Sequence, residues 1–317
     1  MSVYNGADTL PETLRSVLDQ EGCDFEFVVV DDGSTDGSGD ILDEWEARER
    51  RLRVIHQENT GLTRALILGC AAARGELIAR QDAGDESLPG RLARQASLLK
   101  SNPQFVAVSC YTQMVGPRGE ILYTAEITQG SLNDSLRTSD PYRLGGPPGH
   151  GSVMMRRHAY IEVGGYRPHF YFAQDLDLWT RLAERGEFGV VPQPLFKVRR
   201  EPSSISGMQA PEQRLLKDLI AKATTARRLG EDEARWLAQA ANVRKVSDDR
   251  AMRRVAAGNY FIGSCLRARD PKAAASYFRS AVEHDVRHWR AWARFLECTI
   301  RGRLGRQAVG SASTGDA

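Results

Sequence analysis

The stretch Phe25-Glu26-Phe27-Val28-Val29-Val30-Asp31-Asp32-Gly33-Ser34-Thr35-Asp36-Gly37 decides the fold of this chain. From Phe25 to Val30 it is a run of apolar and β-branched residues set between Gly22 and a cluster of Asp, Gly and Ser at 31–40. Such a run, with no sustained polar alternation, reads as a strand buried on both faces, the environment of a parallel sheet. It ends on two carboxylates. On its N-terminal side, Leu10, Leu14, Val17 and Leu18 recur at helical spacing after Thr9, with Glu12 placed to close a capping box. That pattern predicts a helix from Leu10 to Gln20. On the other side a helix near 41–50, a strand at 52–56, a helix at 62–73 stopped by Gly75 and a strand at 76–80 follow. Strand and helix alternate, so the chain reads as α/β, with a doubly wound, mixed but mainly parallel sheet.

Ligands of such sheets bind outside the carboxyl ends of the strands, where Asp31, Asp32 and Asp82 fall. A helix opening at Pro89 and a strand at 105–111 come next, and a Gly- and Pro-rich stretch at 116–150 reads as irregular or hairpin structure lining the site. Asp175 and Asp177 then open a helix predicted to run to Arg185.

The 317 residues suffice for one large domain and a smaller one. A net charge of +2 argues against a strongly basic nucleic-acid binder. The longest apolar run, 65–73, contains Gly69 and falls far short of the ~20 residues that cross a bilayer. The chain opens without a basic segment followed by an apolar one, so no signal peptide is expected. Five widely spaced cysteines fit neither a zinc nor a disulfide framework, and a reducing cytoplasm is the expected home. The Ser-, Gly- and Pro-rich stretch at 202–211 reads as a linker into a helical tail, 206–305, where Ala274, Phe278 and Ala281 have tetratricopeptide-like spacing. Residues 306–317 are expected to be disordered.

Three carboxylate groups, Asp31-Asp32, Asp82 to Asp85 and Asp175-Asp177, carry the candidate chemistry. Each alone is equally well a turn or a helix cap. Around one crevice they suit a divalent ion over phosphates, hydrogen bonds to ribose or base, or removal of a proton from a hydroxyl. His150 is either a loop histidine or a contact to phosphate or acceptor. Arg64 and Arg80 are either solvated charges or phosphate ligands. Trp179 is either core or a substrate platform.

The stretch quoted first, together with Ser2-Val3-Tyr4-Asn5-Gly6, Asn59-Thr60-Gly61-Leu62-Thr63-Arg64-Ala65-Leu66, Ala79-Arg80-Gln81-Asp82-Ala83-Gly84-Asp85, Gly149-His150-Gly151-Ser152-Val153-Met154, Gly164-Gly165-Tyr166 and Gln174-Asp175-Leu176-Asp177-Leu178-Trp179, resembles the family 2 inverting glycosyltransferases of the GT-A fold over residues 1–205. The resemblance implies a nucleotide-diphosphate sugar as donor and a glycan or lipid-linked acceptor. It also implies a place in cell-surface polysaccharide biosynthesis, in the cytoplasm or at the inner face of the membrane as a peripheral protein. It places Tyr4, Asn5, Asp31, Asp32, Asn59, Arg64, Arg80 and Asp82 around the donor, with Asp175 as the general base. His150, Asp177, Trp179 and Arg199 fall on the acceptor or phosphate side.

Three departures stand out. Gly84 replaces the second acid of the family's Asp-x-Asp, leaving Asp82 and Asp85 as metal ligands, so magnesium or manganese binding is expected to be weak or substrate-dependent. Arg199-Arg200-Glu201 stands where Arg-x-His is usual, and the strand before Tyr4 is short. A degenerate member that binds nucleotide or serves as a scaffold is the rival reading. No Gly-x-Gly-x-x-Gly follows the first strand, as a nicotinamide dehydrogenase would require. The Gln-x-x-Arg-Trp of processive synthases is missing too, which favours single additions.

Overall fold

The computed structural model describes residues 1–202, 210–243 and 251–310, so 203–209 of the expected linker and 311–317 of the expected disordered tail lie outside the described residues. The chain divides into two compact units: 1–113, 124–198 and 211–244 form the first, and 114–123, 199–210 and 245–317 the second. This packing division differs from the compositional boundary at 205, because helices Ala210–Arg228 and Ala234–Ala241 pack within the first unit. Leu216, Leu219, Ile220 and Ala240 bury themselves there against Leu144, Phe170 and Phe172.

In the first unit, β1 (Ser2–Val3), β2 (Phe27–Asp32) and β3 (Leu52–Gln57) pair in parallel, in the order β1-β2-β3. Every residue of β2 is buried, as its unbroken apolar run requires. Helices α1 (Leu10–Leu18), α2 (Ser38–Glu46) and α3 (Leu62–Ala72) alternate with these strands. Thr9 does not cap α1: its backbone is near-helical, and its hydroxyl donates to the Gly6 carbonyl at 3.5 Å.

The second sheet is of another kind. Its strands run β4 (Leu77–Ala79), β8 (Met154–Arg156), β6 (Phe105–Val115), β9 (Glu187–Arg199) and β5 (Glu86–Ser87), with β7 (Ile121–Ala125) on β6. The pairs β4–β8, β6–β8 and β5–β9 are antiparallel, so the sheet system as a whole is mixed. The stretch 116–150 holds the expected hairpin and also a helix, Gln129–Arg137, whose Thr128 hydroxyl accepts from the Ser131 amide.

Between β2 and β4 lies a cavity of about 560 Å³, walled by Met1, Phe27, Val28, Leu77, Ile78 and Leu92 among others. β1 pairs with Val30 and Asp31 of β2 and the Met1 amino group reaches the Val28 carbonyl, whereas β3 pairs with β2 from Phe27 to Asp32. Extending the chain before Met1 by four β-branched residues is expected to fill this slot and raise the melting temperature by a few degrees. Buried apolar area is worth ~25 cal/mol per Å², and each kcal/mol moves the midpoint by ~2 to 4 °C in a unit of this size. An unchanged midpoint by calorimetry would show that the slot closes in solution.

In the second unit, helices Ala251–Leu266, Pro271–His284 and Trp289–Gly310 pack through Ala256, Ile262, Ala274, Phe278 and Ala281. The tetratricopeptide-like residues face inward, and a Cβ on Gly263 would come within 2.9 Å of the Phe278 ring. Asp270 caps the second of these helices by accepting from the Ala273 amide at 2.9 Å.

Candidate active site

The carboxyl end of β2 delivers Asp31 and Asp32 to the loops that follow β1 and β3. Asp32 is 2% exposed, and its two oxygens accept from the Thr60 amide at 2.8 Å, the Gly61 amide at 2.9 Å and Gln57 Nε2 at 2.6 Å. As built, this carboxylate organises the 57–61 loop, and a nucleoside would have to share it. Gly33 is fixed by the same approach: at φ +75° its Cβ would lie 2.7 Å from the Asn59 amide nitrogen. Asn5 joins the loops on the other side, where its Oδ1 accepts from the Thr35 amide at 2.8 Å while its own backbone amide donates to Ser34 Oγ. Its φ of +52° is a left-handed conformation that asparagine tolerates. Tyr4, Asn59 and Arg64 are exposed around this rim.

Asp31 has a partner that the sequence did not announce. Its Oδ2 meets His56 Nδ1 at 2.9 Å, and His56 Nε2 meets Asp43 Oδ1 at 3.0 Å. The hydrogen bond from Asp31 first, then that from Asp43, raises the His56 pKa above its ordinary value. A raised folded-state pKa gives stability that is complete below the unfolded value of ~6.5 and disappears as pH climbs through the folded value. The wild-type chain is therefore expected to lose stability relative to His56→Gln on going from a pH below ~6.5 to one above the raised folded-state value. Equal denaturant midpoints for the two proteins at both pH values would remove His56 from this role.

The end of β4 supplies the second group. Arg80 is 2% exposed: it donates through Nη2 to Asp82 Oδ1 at 2.7 Å and through Nε to His150 Nε2 at 3.2 Å. Arginine has only donors, so His150 Nε2 carries no proton; it also accepts from the Tyr166 hydroxyl at 2.6 Å. The Nδ1 proton of His150 then faces Asp82 Oδ2 at 4.0 Å. Burial, and next the charge of Arg80, lower the His150 pKa and keep the ring neutral at pH ~7. Burial raises Asp82, but His150 and Arg80 outweigh it and hold the carboxyl below its usual value. Burial pushes the Tyr166 hydroxyl far up, so it remains a donor.

Arg91, in the sequence one more residue of a helix, pins the loop after Asp82. Fully buried, it donates to Gln81 Oε1 at 3.1 Å, Ser87 Oγ at 2.8 Å and the Arg80 carbonyl at 2.7 Å, and lies 4.7 Å from the centroid of the Phe196 ring. Burial brings its pKa down to about 10, so it stays charged. Asp85 lies in that loop, its carbonyl accepting from Thr13 Oγ1 and Gln81 Nε2.

Asp175 opens the helix Gln174–Leu182, half-buried, its Oδ1 accepting from the Leu176 amide at 2.8 Å. Its charge, like that of Asp82, only partly opposes the lowering of the His150 pKa by burial and Arg80. The residue before this helix, Ala173, has φ +56°, a conformation rare for a side chain with Cβ and one that accumulates at functional sites. Asp177 points elsewhere: it is buried in an ion pair with Arg181 at 2.6 Å and Arg167 at 3.6 Å. Trp179, 1% exposed, packs on His150 and Phe188 and is core. Arg199 belongs to the second unit, where it donates to the Pro117 carbonyl.

Residues 1–164 match the family model described as glycosyl transferase family 2. The chain belongs to that family. The putative glycosyltransferase EpsE of Bacillus subtilis is 31% identical to this glycosyltransferase over 206 residues, 63% of this chain and 72% of EpsE. The amylovoran biosynthesis glycosyltransferase AmsE of Erwinia amylovora is 28% identical over 204 residues, 63% of this chain and 74% of AmsE. Among solved structures, a Pyrobaculum calidifontis mannosyltransferase in complex with GDP-Man and Mn2+ superposes with a TM-score of 0.53 at 20% identity, covering 95% of this chain and 84% of that one. S. aureus TarS 1–349 in complex with UDP-GlcNAc gives 0.51 at 15% identity, covering 96% and 90%. At these identities the two likenesses establish the fold.

Among the described residues no three His, Cys, Asp or Glu side chains converge as metal donors. Gly84 has φ +89°, so an aspartate there would be strained in addition to altering the charge. What this glycosyltransferase offers a hard cation is the Asp82 carboxylate, which suits an ion that takes one or two carboxylates and completes its shell with phosphates and water.

Proposed function

We propose that this glycosyltransferase transfers a sugar with inversion from a nucleotide-diphosphate donor to a hydroxyl of a glycan or lipid-linked acceptor, with Asp175 as general base. The observation that carries the reading is the contrast between two carboxylates, Asp82 and Asp175. Asp82 is tied to a buried arginine, while Asp175 stands half-exposed at a helix start with no cation on it in the ion pairs described. An inverting displacement needs that asymmetry. One carboxylate takes the acceptor proton as the oxygen attacks the anomeric carbon; the other end of the site holds the departing diphosphate. A divalent ion held by Asp82 and the phosphates would add Lewis-acid stabilisation of the leaving group. The chain's own contribution there is Arg80, fixed by His150 and backed by Tyr166. Tyr4, Asn5, Asp31, Asp32, Asn59 and Arg64 form the rim on which the nucleoside would lie. Relatives named for polysaccharide biosynthesis support a surface-glycan acceptor.

The engagement of Asp32 by four donors favours the second reading, a nucleotide-binding or scaffold protein without turnover. A thermal-shift screen of nucleoside diphosphates and their sugars, with and without manganese, separates the two when paired with a product assay. A ligand at ~100 times its dissociation constant stabilises by about 2.7 kcal/mol. A shift with product supports the enzyme, a shift without product the second reading, and no shift with any nucleotide rejects both.

A further inference from the structure

We infer that the C-terminal helix, Trp289–Gly310, docks on the surface of an anionic lipid bilayer. Trp289, Trp292, Leu296 and Ile300 are 70%, 44%, 55% and 58% exposed, and at ~3.6 residues per turn they share one face of this helix. Val286, 71% exposed just before it, extends the same apolar surface. Ala291 and Cys298 are buried on the opposite face, so the helix already has an inner side, and this second apolar stripe is in excess of what packing in the second unit uses. Scattered exposed apolar residues are ordinary, whereas a contiguous stripe marks a docking surface.

Charge selects the occupant. From 287 to 310 the sequence carries six arginines, at 287, 290, 294, 301, 303 and 306, against the single acid Glu297, which Arg294 already pairs at 2.7 Å. Arg290 lies over the Trp289 ring, its charge beside the apolar stripe. A basic helix with indoles and aliphatic side chains on one face matches the boundary between lipid headgroups and acyl chains, where tryptophan is favoured and arginine meets anionic lipid. A second copy of this chain would bring arginines against arginines, because a two-fold contact sets each patch on itself.

The test is sedimentation of the full chain with vesicles of phosphatidylcholine, with and without about one third phosphatidylglycerol, followed also by tryptophan emission. Binding to the anionic vesicles with a blue shift, weakened at least ~tenfold on neutral vesicles or at high salt, is the expected result. The double variant Leu296→Glu, Ile300→Glu should abolish it with an unchanged far-ultraviolet spectrum and melting midpoint. No binding by the wild-type chain, or equal binding by the double variant, overturns the proposal. So does concentration-dependent dimerisation that the double variant removes, since the face would then belong to a second copy.

Discussion

Asp175→Asn is expected to lower the rate of sugar transfer by ~10² to 10⁴ while nucleotide affinity stays nearly unchanged, because a general base acts on the acceptor proton and not on the donor. The substitution is well suited to the site. The Asp175 carboxylate accepts from the Leu176 amide, and the asparagine carbonyl can do the same, so the first turn of the helix keeps that hydrogen bond. A melting midpoint equal to wild type, with transfer lost, is therefore the combined result expected. Transfer within about threefold of wild type would remove Asp175 from the role, since general-base loss costs far more. Loss of nucleotide binding alongside transfer would instead make it a donor contact.

What the sequence disclosed, and what it withheld, follows from how far apart the partners lie. β2 was legible because six consecutive residues carry one message, burial on both faces. The helix Gln129–Arg137 was not, because Leu132 and Leu136 are its main buried apolar residues and they sit in a Gly- and Pro-rich stretch. Arg80 was open to two readings in the sequence. Its burial depends on His150, 70 positions away, which no local pattern reports. Arg91 depends on Gly151 and Phe196 in the same way. Thr63 donates to the Phe170 carbonyl across 107 positions, and that bond joins the first turn of α3 to the segment leading to Asp175. Local chemistry thus singled out the carboxylates, and tertiary contacts decided which of them are tied to buried arginines.

Asp177 shows that division most sharply, and Asp177→Ala is expected to unfold the first unit far more readily without touching the chemistry. Both carboxylate oxygens face arginines, Arg181 at 2.6 Å and Arg167 at 3.6 Å, with the side chains of Asp177 and Arg181 each 2% exposed. Deleting one partner of a buried pair leaves an uncompensated charge and costs ~3 to 5 kcal/mol, whereas replacing both by apolar residues is often near neutral. Arg167 keeps Glu233 at 2.6 Å in either case, so the charge left stranded is that of Arg181. The melting midpoint of Asp177→Ala should therefore fall by ~10 °C, and Asp177→Leu combined with Arg181→Met should recover most of that loss. Below the transition, the donor and acceptor KM of Asp177→Ala should match wild type. A wild-type midpoint with a raised acceptor KM would instead return Asp177 to the acceptor site.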